Sequence, residues 1–514
     1  MKKLLFLLLI LTSLSTYSQG EANIWYFGEN AGLDFNFSPP RPINDGQINT
    51  REGCSSFADS NGNLVFYSDG STVWNKNHAV MNYSNGNPGN DLKGDPSSTQ
   101  SGMIVPKPES SSIYYLFTVG ATTNTGPSQG FNYYTIDISQ NNNLGEITNG
   151  PVDLSNGRNS TWTEKVAAVR GKDCNTFWVV SLVSNQYYSY KIDKNGVNNT
   201  PVISTVNFNP GGEQRGYLKL SPDGTKLAVS HQAQGSGELI LYSFNNETGT
   251  VSNDGITLLS NAGGDGQPYG IEFSRSSRVL YGSTYSPPNS GNFNRLYQFD
   301  LTNNNIISTK NLIKEQNQSF NETSGSGNVY RSGMQLGPDG KIYVTTSQSY
   351  GNSTKFLDII NSPEKLGVSC DFKIDALDIT VNGNTPLSSQ GLPPFVSSLL
   401  LPIEIKDEDT NEVLNDQNLQ YCIGQTRTIA PDAVSGTGVT YKWEFENTGG
   451  TTTQIHNDRV LNLPNLTTAN TGKYILTVNL TDDCGNITTL EGTFNVGVFE
   501  AAVATPTNKL LFCD

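Results

Sequence analysis

The sequence predicts an all-β chain: a seven-bladed β-propeller, with six or eight blades as the alternatives, followed by a smaller β-sandwich of immunoglobulin-like size. Three observations predict it. A unit of short alternating strands recurs through the first four hundred residues, and no long segment spaces its apolar residues as a helix would. The first and last copies of the unit are each incomplete, in complementary ways.

The unit is clearest at Gly216-Tyr-Leu-Lys-Leu-Ser-Pro-Asp-Gly-Thr-Lys-Leu-Ala-Val-Ser, followed after a polar gap by Glu238-Leu-Ile-Leu-Tyr-Ser-Phe. Alternating apolar residues around a Pro-Asp-Gly turn describe antiparallel strands joined by a hairpin. One such sheet cannot bury both its faces, so it needs like neighbours. Earlier copies begin at Gly53, Gly102 and near Ala167, and later ones at Gly270 and Gly333. With Gly391 in Gly391-Leu-Pro-Pro-Phe-Val, the openings are about 50 to 65 residues apart, the spacing of larger propeller blades.

The opening aromatic hairpin, Asn23-Ile-Trp-Tyr-Phe-Gly with Gly32-Leu-Asp-Phe, lacks an inner strand, and the stretch 391–401 lacks outer ones. Joined, they make one blade. A blade built from both ends would remove the last sheet edges and close a propeller spanning 22–402.

Beyond Pro402 the grammar stops. Glu404-Ile-Lys-Asp-Glu-Asp-Thr-Asn-Glu reads as a charged linker over 403–419, and 420–498 as the sandwich, with Tyr421, Trp443 and Tyr474 as its marks. Cys422 and Cys484 lie at one end of it and are expected to form a disulfide. Six cysteines allow 15 pairings, and the pairing of Cys54, Cys174, Cys370 and Cys513 stays open. The residues 499–514 end in Asn508-Lys-Leu-Leu-Phe-Cys-Asp, an ending expected of a chain cut short within a following segment.

At the other terminus, Lys2 and Lys3 precede an apolar run from Leu4 to Leu11 and then small polar residues up to Ser18. This is a secretory signal peptide over 1–18, too short to span a bilayer, with cleavage expected before Gln19. The protein is therefore expected outside the cell. A net charge of -15 across 514 residues argues against a nucleic-acid partner, which needs a basic face.

The string Asn23-Ile-Trp-Tyr-Phe-Gly, Glu52-Gly-Cys, Gly62-Asn-Leu-Val-Phe-Tyr-Ser-Asp-Gly, Val73-Trp-Asn, Pro96-Ser-Ser-Thr-Gln-Ser and Val105-Pro-Lys-Pro resembles the N-terminal propeller of large exported Bacteroidetes surface proteins. Those proteins commonly end in a gliding-motility-associated, type B sorting domain of the type IX secretion system. The resemblance covers Asn23 to Pro402 and implies export and display at the cell surface. The sandwich resembles the PKD or Ig-like modules that they carry in series. These 514 residues contain no sorting domain, which puts that route of export in doubt, and the family supplies no catalytic residues to carry over.

The chemistry-bearing residues are sparse. His78, His231 and His456 fall in different units, and their spacing suggests neither a metal site nor a Ser-His-Asp triad. Asp59-Ser-Asn-Gly-Asn imitates the start of a Ca2+ loop without the acidic residue that should end it, so turn chemistry explains it and no cofactor is expected.

One pattern stands out. The inner strands of a propeller run in the same direction, so the residues before each opening should gather at one mouth of the central channel. These are Arg51, Glu52, Gln100, Glu164, Gln214, Arg215, Gln267, Tyr269, Arg331 and Gln390. Amides, acids and guanidinium groups around a concavity suit a polar ligand. The plainer explanation is that polar residues collect wherever a mouth is solvated. The expected function is a secreted or surface-displayed interaction or adhesion protein that binds a polysaccharide or protein. The alternative is a propeller-type lyase or hydrolase using Glu52 and Glu164 on an extracellular polysaccharide.

Overall fold

The computed structural model describes residues 16–17, 19–121, 128–172, 175–210, 213–286, 293–317, 331–349, 352–400, 403, 405–410, 412, 414, 418–431, 437–481 and 487–500. The chain is all-β and forms two compact units, Gln19–Pro402 and Ile403–Asp514, the second grouped with Met1–Ser18. Apart from residues 16 and 17, the expected signal peptide lies outside the described residues. Among them, no helix is long and apolar enough to cross a membrane.

Seven antiparallel sheets make up the described part of the first unit, within 24–43, 55–75, 102–153, 162–205, 218–260, 267–317 and 334–378. Five of them have the four-stranded order of a blade or extend it by a short strand, and each starts from an inner strand. The fifth sheet shows why these residues form it. Gly224 N donates to Ser221 O at 2.9 Å, and Gly224 takes φ +69°, closing the Ser-Pro-Asp-Gly turn as its sequence requires. Leu218 then faces Val229 across the hairpin. Alternation sends Leu227 and Val229 into the core shared with sheet four, and Ala228 and Leu239 into the core shared with sheet six.

Neighbouring sheets share such cores all the way round. Sheets two and three, three and four, four and five, and five and six each bury a common apolar layer. A further cluster joins sheet seven to sheet one. Trp25 and Phe35 of the first sheet lie with ring centroids 5.6 and 5.3 Å from Tyr343 of the seventh. The succession is cyclic.

The expected closing strand is a correction. The hairpin at 24–34 forms its own sheet with Arg41–Ile43 and borrows nothing from 391–401. Its backbone link to the far end is a single bridge, where Glu29 N donates to Leu387 O at 2.9 Å and Leu387 N returns a bond at 3.2 Å. Residues 388–396 form no strand, and Ser397–Leu400 is a 3-10 turn. Pro393 and Pro394 explain this, because neither has an N–H to give to a ladder.

The segment instead threads the channel. Gln390 N donates to Arg51 O at 3.1 Å, beside the start of the second sheet. A methyl on Gly391 would collide with the Glu52 carbonyl, so the close approach requires glycine there. Phe395 packs on Trp25 with centroids 5.9 Å apart, and Val396 enters the core of sheets three and four. At the far end Arg170 N donates to Ser398 Oγ at 3.0 Å, and Arg275 Nε to Leu400 O at 2.9 Å.

Glu21, near that far end, is buried. Burial pushes its carboxyl from the ordinary 4.5 to about 7 against the pull of Arg170. The folded chain therefore holds a proton that the unfolded chain has lost, and the stability from this proton is complete below pH 4.5 and lost as pH rises through 7. Glu21→Gln is expected to stabilise the first unit at pH 8 by up to about 3 kcal/mol, and by nothing below pH 4.5. Chemical denaturation across that range checks it.

In the second unit two sheets enclose one core around the buried Trp443, Tyr474 and Phe494. The expected linker contributes to it: Ile405–Asp407 pairs with Arg427–Pro431, and Ile403 and Leu414 are buried. Its charge density concealed the alternation of Ile403 and Ile405. Cys422 is disulfide-bonded. Cys484, Cys174, Cys513 and the segment 501–514 lie outside the described residues, while Cys54 and Cys370 are buried free thiols.

Candidate functional site: the channel mouth

Of the ten residues expected at the mouth, Gln390 precedes the strandless segment 391–396 and the other nine lie just before or within the first three residues of inner strands, where side chains from different sheets meet. Glu52, ahead of sheet two, accepts from the Tyr269 hydroxyl of sheet six at 2.8 Å and from Arg331 Nη1, ahead of sheet seven, at 2.7 Å. The Arg331 guanidinium also stands 5.4 Å from the Tyr269 ring centre. Glu164 Oε2 accepts from Thr99 N at 3.1 Å and Thr99 Oγ1 at 3.0 Å. Burial, and then the charge of Glu52, hold the Glu164 carboxyl well above the usual carboxylate range.

Gln100 acts as a surrogate strand. Its Oε1 accepts from Leu218 N at 2.8 Å and its Nε2 donates to Leu218 O at 3.0 Å, so one amide side chain satisfies the inner edge of sheet five. Gln267 stands apart from this group, accepting from the Tyr285 hydroxyl at 2.7 Å, and Tyr285 in turn meets Gln232. Gln214 Nε2 donates to Ser160 O at 3.0 Å.

The expectation of a solvated mouth needs correcting. Glu52, Gln100, Glu164, Gln267, Tyr269, Arg331 and Gln390 are all buried, whereas Arg51 is exposed and Gln214 and Arg215 are half-buried. The physical reason is the threaded segment, which fills the axis and turns a rim of polar groups into an interior network. The contrast is sharp at the arginines, where the Arg215 side chain is 43 % exposed and that of Arg331 4 %.

Sequence reasoning missed two members of the mouth. Lys165 Nζ donates to Gln214 O at 2.7 Å and Arg215 O at 2.6 Å, and burial pulls its pKa down. Taking the fourth inner strand to open at Ala167, rather than at Trp162, hid it. Glu213 grips Arg215 through Nε at 2.8 Å and Nη2 at 3.0 Å. The pair lies two residues apart in the sequence and was legible there.

Deeper in the channel, Lys219 Nζ donates to Glu272 Oε2 at 2.7 Å and Gln335 Oε1 at 2.6 Å, and Glu272 Oε2 also accepts from Leu336 N at 3.0 Å. The signal for this trio was present in the sequence. Each member is a polar residue two or three positions after an opening glycine, in a run that is otherwise apolar.

The histidines stay apart: His78 Nδ1 lies 3.1 Å from the Tyr67 hydroxyl, His456 sits by Asp458, and His231 is buried against Phe208. Burial holds His231 well below the usual histidine range. Asp59 Oδ1 accepts from Asn61 N and Asn63 N, both at 2.9 Å, which is turn chemistry. Among the described residues no group of three His, Cys, Asp or Glu side chains is placed to hold a metal ion.

No family model matches the chain, and no curated protein matches it. Among solved structures it is similar to the extracellular domain of the one component system BT4673 from B. thetaiotaomicron, at 12 % identity over 93 % of this chain and 74 % of that one, with a TM-score of 0.26. It is similar to prolyl oligopeptidase B from Galerina marginata, at 12 % identity over 74 % of this chain and 48 % of that one, with a TM-score of 0.29. A third is the NanB sialidase from Streptococcus pneumoniae, at 11 % identity over 64 % and 52 %, with a TM-score of 0.27. The chain spans about half the length of the last two.

Proposed function

We propose that the seven sheets are the blades of a propeller in an exported or surface-displayed interaction protein, which binds an extracellular polysaccharide or surface protein around the channel mouth. The Ig-like or PKD-like sandwich serves as its spacer. The observation that supports the reading is the network joining Glu52 to Tyr269 and Arg331, with Glu164 and Arg215 close enough to act on it electrostatically, while Arg51, Gln214 and Arg215 are not buried. With the axis filled, the rim is the part of the channel left to meet a partner. The signal peptide and the resemblance of 23–402 to Bacteroidetes surface proteins support export, with delivery by a type IX system as part of the proposal.

A propeller-type lyase or hydrolase is the second reading. It is favoured by one observation, that two carboxyls lie near each other in different settings. Glu164 is raised well above the usual carboxylate range by burial and Glu52 is paired with Arg331, and acid–base chemistry on a glycan needs two carboxyls with distinct roles.

Glycan-array binding and metal analysis on the whole chain separate the two. Ligand retained without turnover is the expected result. Turnover abolished by Glu164→Gln, or dependent on stoichiometric metal, would overturn the binding reading.

A further inference from the structure

Three lysines are buried among the described residues, and their partners differ in kind. Lys165 Nζ meets the backbone carbonyls of Gln214 and Arg215, and Lys314 Nζ meets the Asp358 carboxylate at 3.0 Å. Lys219 Nζ meets a side-chain amide and a carboxylate together, Gln335 Oε1 at 2.6 Å and Glu272 Oε2 at 2.7 Å. The distinction is chemical. An amine can displace ammonia from a side-chain amide, whereas attack on a backbone carbonyl would cut the chain and an ionised carboxylate resists a nucleophile.

The trio is held by three sheets, because its members lie on different inner strands, Leu218–Leu220, Gln267–Phe273 and Met334–Leu336. All three residues are buried, and the Tyr217 ring centre stands 5.8 Å from Nζ. Glu272 is fixed at both oxygens: Oε1 accepts from Phe273 N at 2.9 Å and Oε2 from Leu336 N at 3.0 Å. Nζ lies no more than about 3.8 Å from Gln335 Cδ, one carbonyl bond beyond the oxygen it touches. A nucleophile is poised at about 3–3.5 Å. Turning the amide about its last stem bond, at the expense of the 3.0 Å bond from Nε2 to Leu336 O, brings the carbon to face the nitrogen.

We propose that Lys219 and Gln335 join spontaneously in an amide bond, with Glu272 as the proton carrier, so that a covalent link ties the inner strand of sheet five to that of sheet seven. Glu272 Oε2 takes a proton from the Nζ ammonium, and the freed electron pair forms the bond to Cδ. The Cδ–Nε2 bond then breaks, and Nε2 leaves as ammonia with a further proton from Nζ. The ammonium brings three hydrogens and the amide two; one stays on the new amide, one on Glu272, and three leave. No oxidant or other reactant is consumed. The driving force is the loss of a buried ion pair, because the link and the protonated Glu272 are both neutral and the cost of keeping two charges from water disappears. Escape of ammonia to solvent makes the step one-way.

Tryptic mapping of the purified whole chain, with its disulfide reduced, tests this. The peptides 216–226 and 332–341, bounded by Arg215, Lys226, Arg331 and Lys341, should run as one species lighter than their sum by one ammonia. Trypsin should fail to cut after Lys219, and fragmentation should place the junction at Lys219 and Gln335. Intact mass alone does not suffice, since an N-terminal Gln19 also sheds ammonia when it cyclises. Lys219→Met and Gln335→Met should each abolish the species. Glu272→Met should slow its accumulation in newly made chain roughly tenfold or more, as expected for loss of a positioned proton carrier.

Two separate peptides from the wild-type chain, with cleavage after Lys219, would overturn the proposal, and that result requires no variant to fold. Linkage at the wild-type rate in Glu272→Met would overturn the route through Glu272. The binding reading of the mouth is independent of both outcomes.

Discussion

Phe395→Ala is expected to lower the stability of the first unit by about 3–4 kcal/mol while leaving the sandwich transition where it was. Phe395 is buried against Trp25 in the core that joins the seventh sheet to the first. Truncating it opens a cavity at the one junction where consecutive blades come from opposite ends of the ring sequence. Differential scanning calorimetry of the whole chain should show the larger transition moving down alone. Val368→Ala, at a residue almost fully exposed, is the control and should move neither. An unmoved larger transition for Phe395→Ala would mean that the threaded segment carries no share of the closure.

Arg331→Met is expected to cost about 3–5 kcal/mol, the usual consequence of leaving one partner of a buried ion pair unmatched. Glu52 would keep only the Tyr269 hydroxyl at 2.8 Å. The direction of the pH dependence is fixed by the chemistry. A buried carboxylate that has lost its cation is relieved by protonation, so the variant should recover stability on acidification and lose it as pH rises. Pairing Glu52→Gln with Arg331→Met should restore most of the loss, since no buried charge then lacks a partner. Urea titrations at pH 5 and pH 8 check both statements. An equally large deficit in the double variant would show that lost packing, rather than the stranded carboxylate, is responsible.

The repeating sheets were legible because they obey local rules. Alternation with period two and Pro-Asp-Gly turns are written within twenty residues of one another, so Leu218, Leu227 and Val229 could be placed on faces without knowing their neighbours. The meeting of Glu52, Tyr269 and Arg331 has a related origin: one strand direction, repeated from sheet to sheet, brings residues near the openings of different strands within reach of each other. Burial was not legible. Whether Glu52 or Gln390 meets water depends on what fills the axis, and that is decided by a segment more than three hundred residues from Glu52. The two prolines at 393 and 394 were the local sign that this segment could not join a sheet, set against the complementarity of the two incomplete end units. Lys165 and Glu213 were hidden at shorter range, one because its strand starts at Trp162 rather than Ala167 and the other because it lies three residues before its opening glycine rather than directly before it.

The threaded segment also fixes where a load would fall. Leu400, held through its carbonyl by Arg275, is followed within three residues by Ile403, the first residue of the downstream module. A pull on that module would reach the ring through its axis rather than peel an outermost strand from a blade. Resistance would come from anchors in several sheets acting in parallel, so tethering the chain from its C-terminal side should leave the blades intact until the axial cord itself is drawn out.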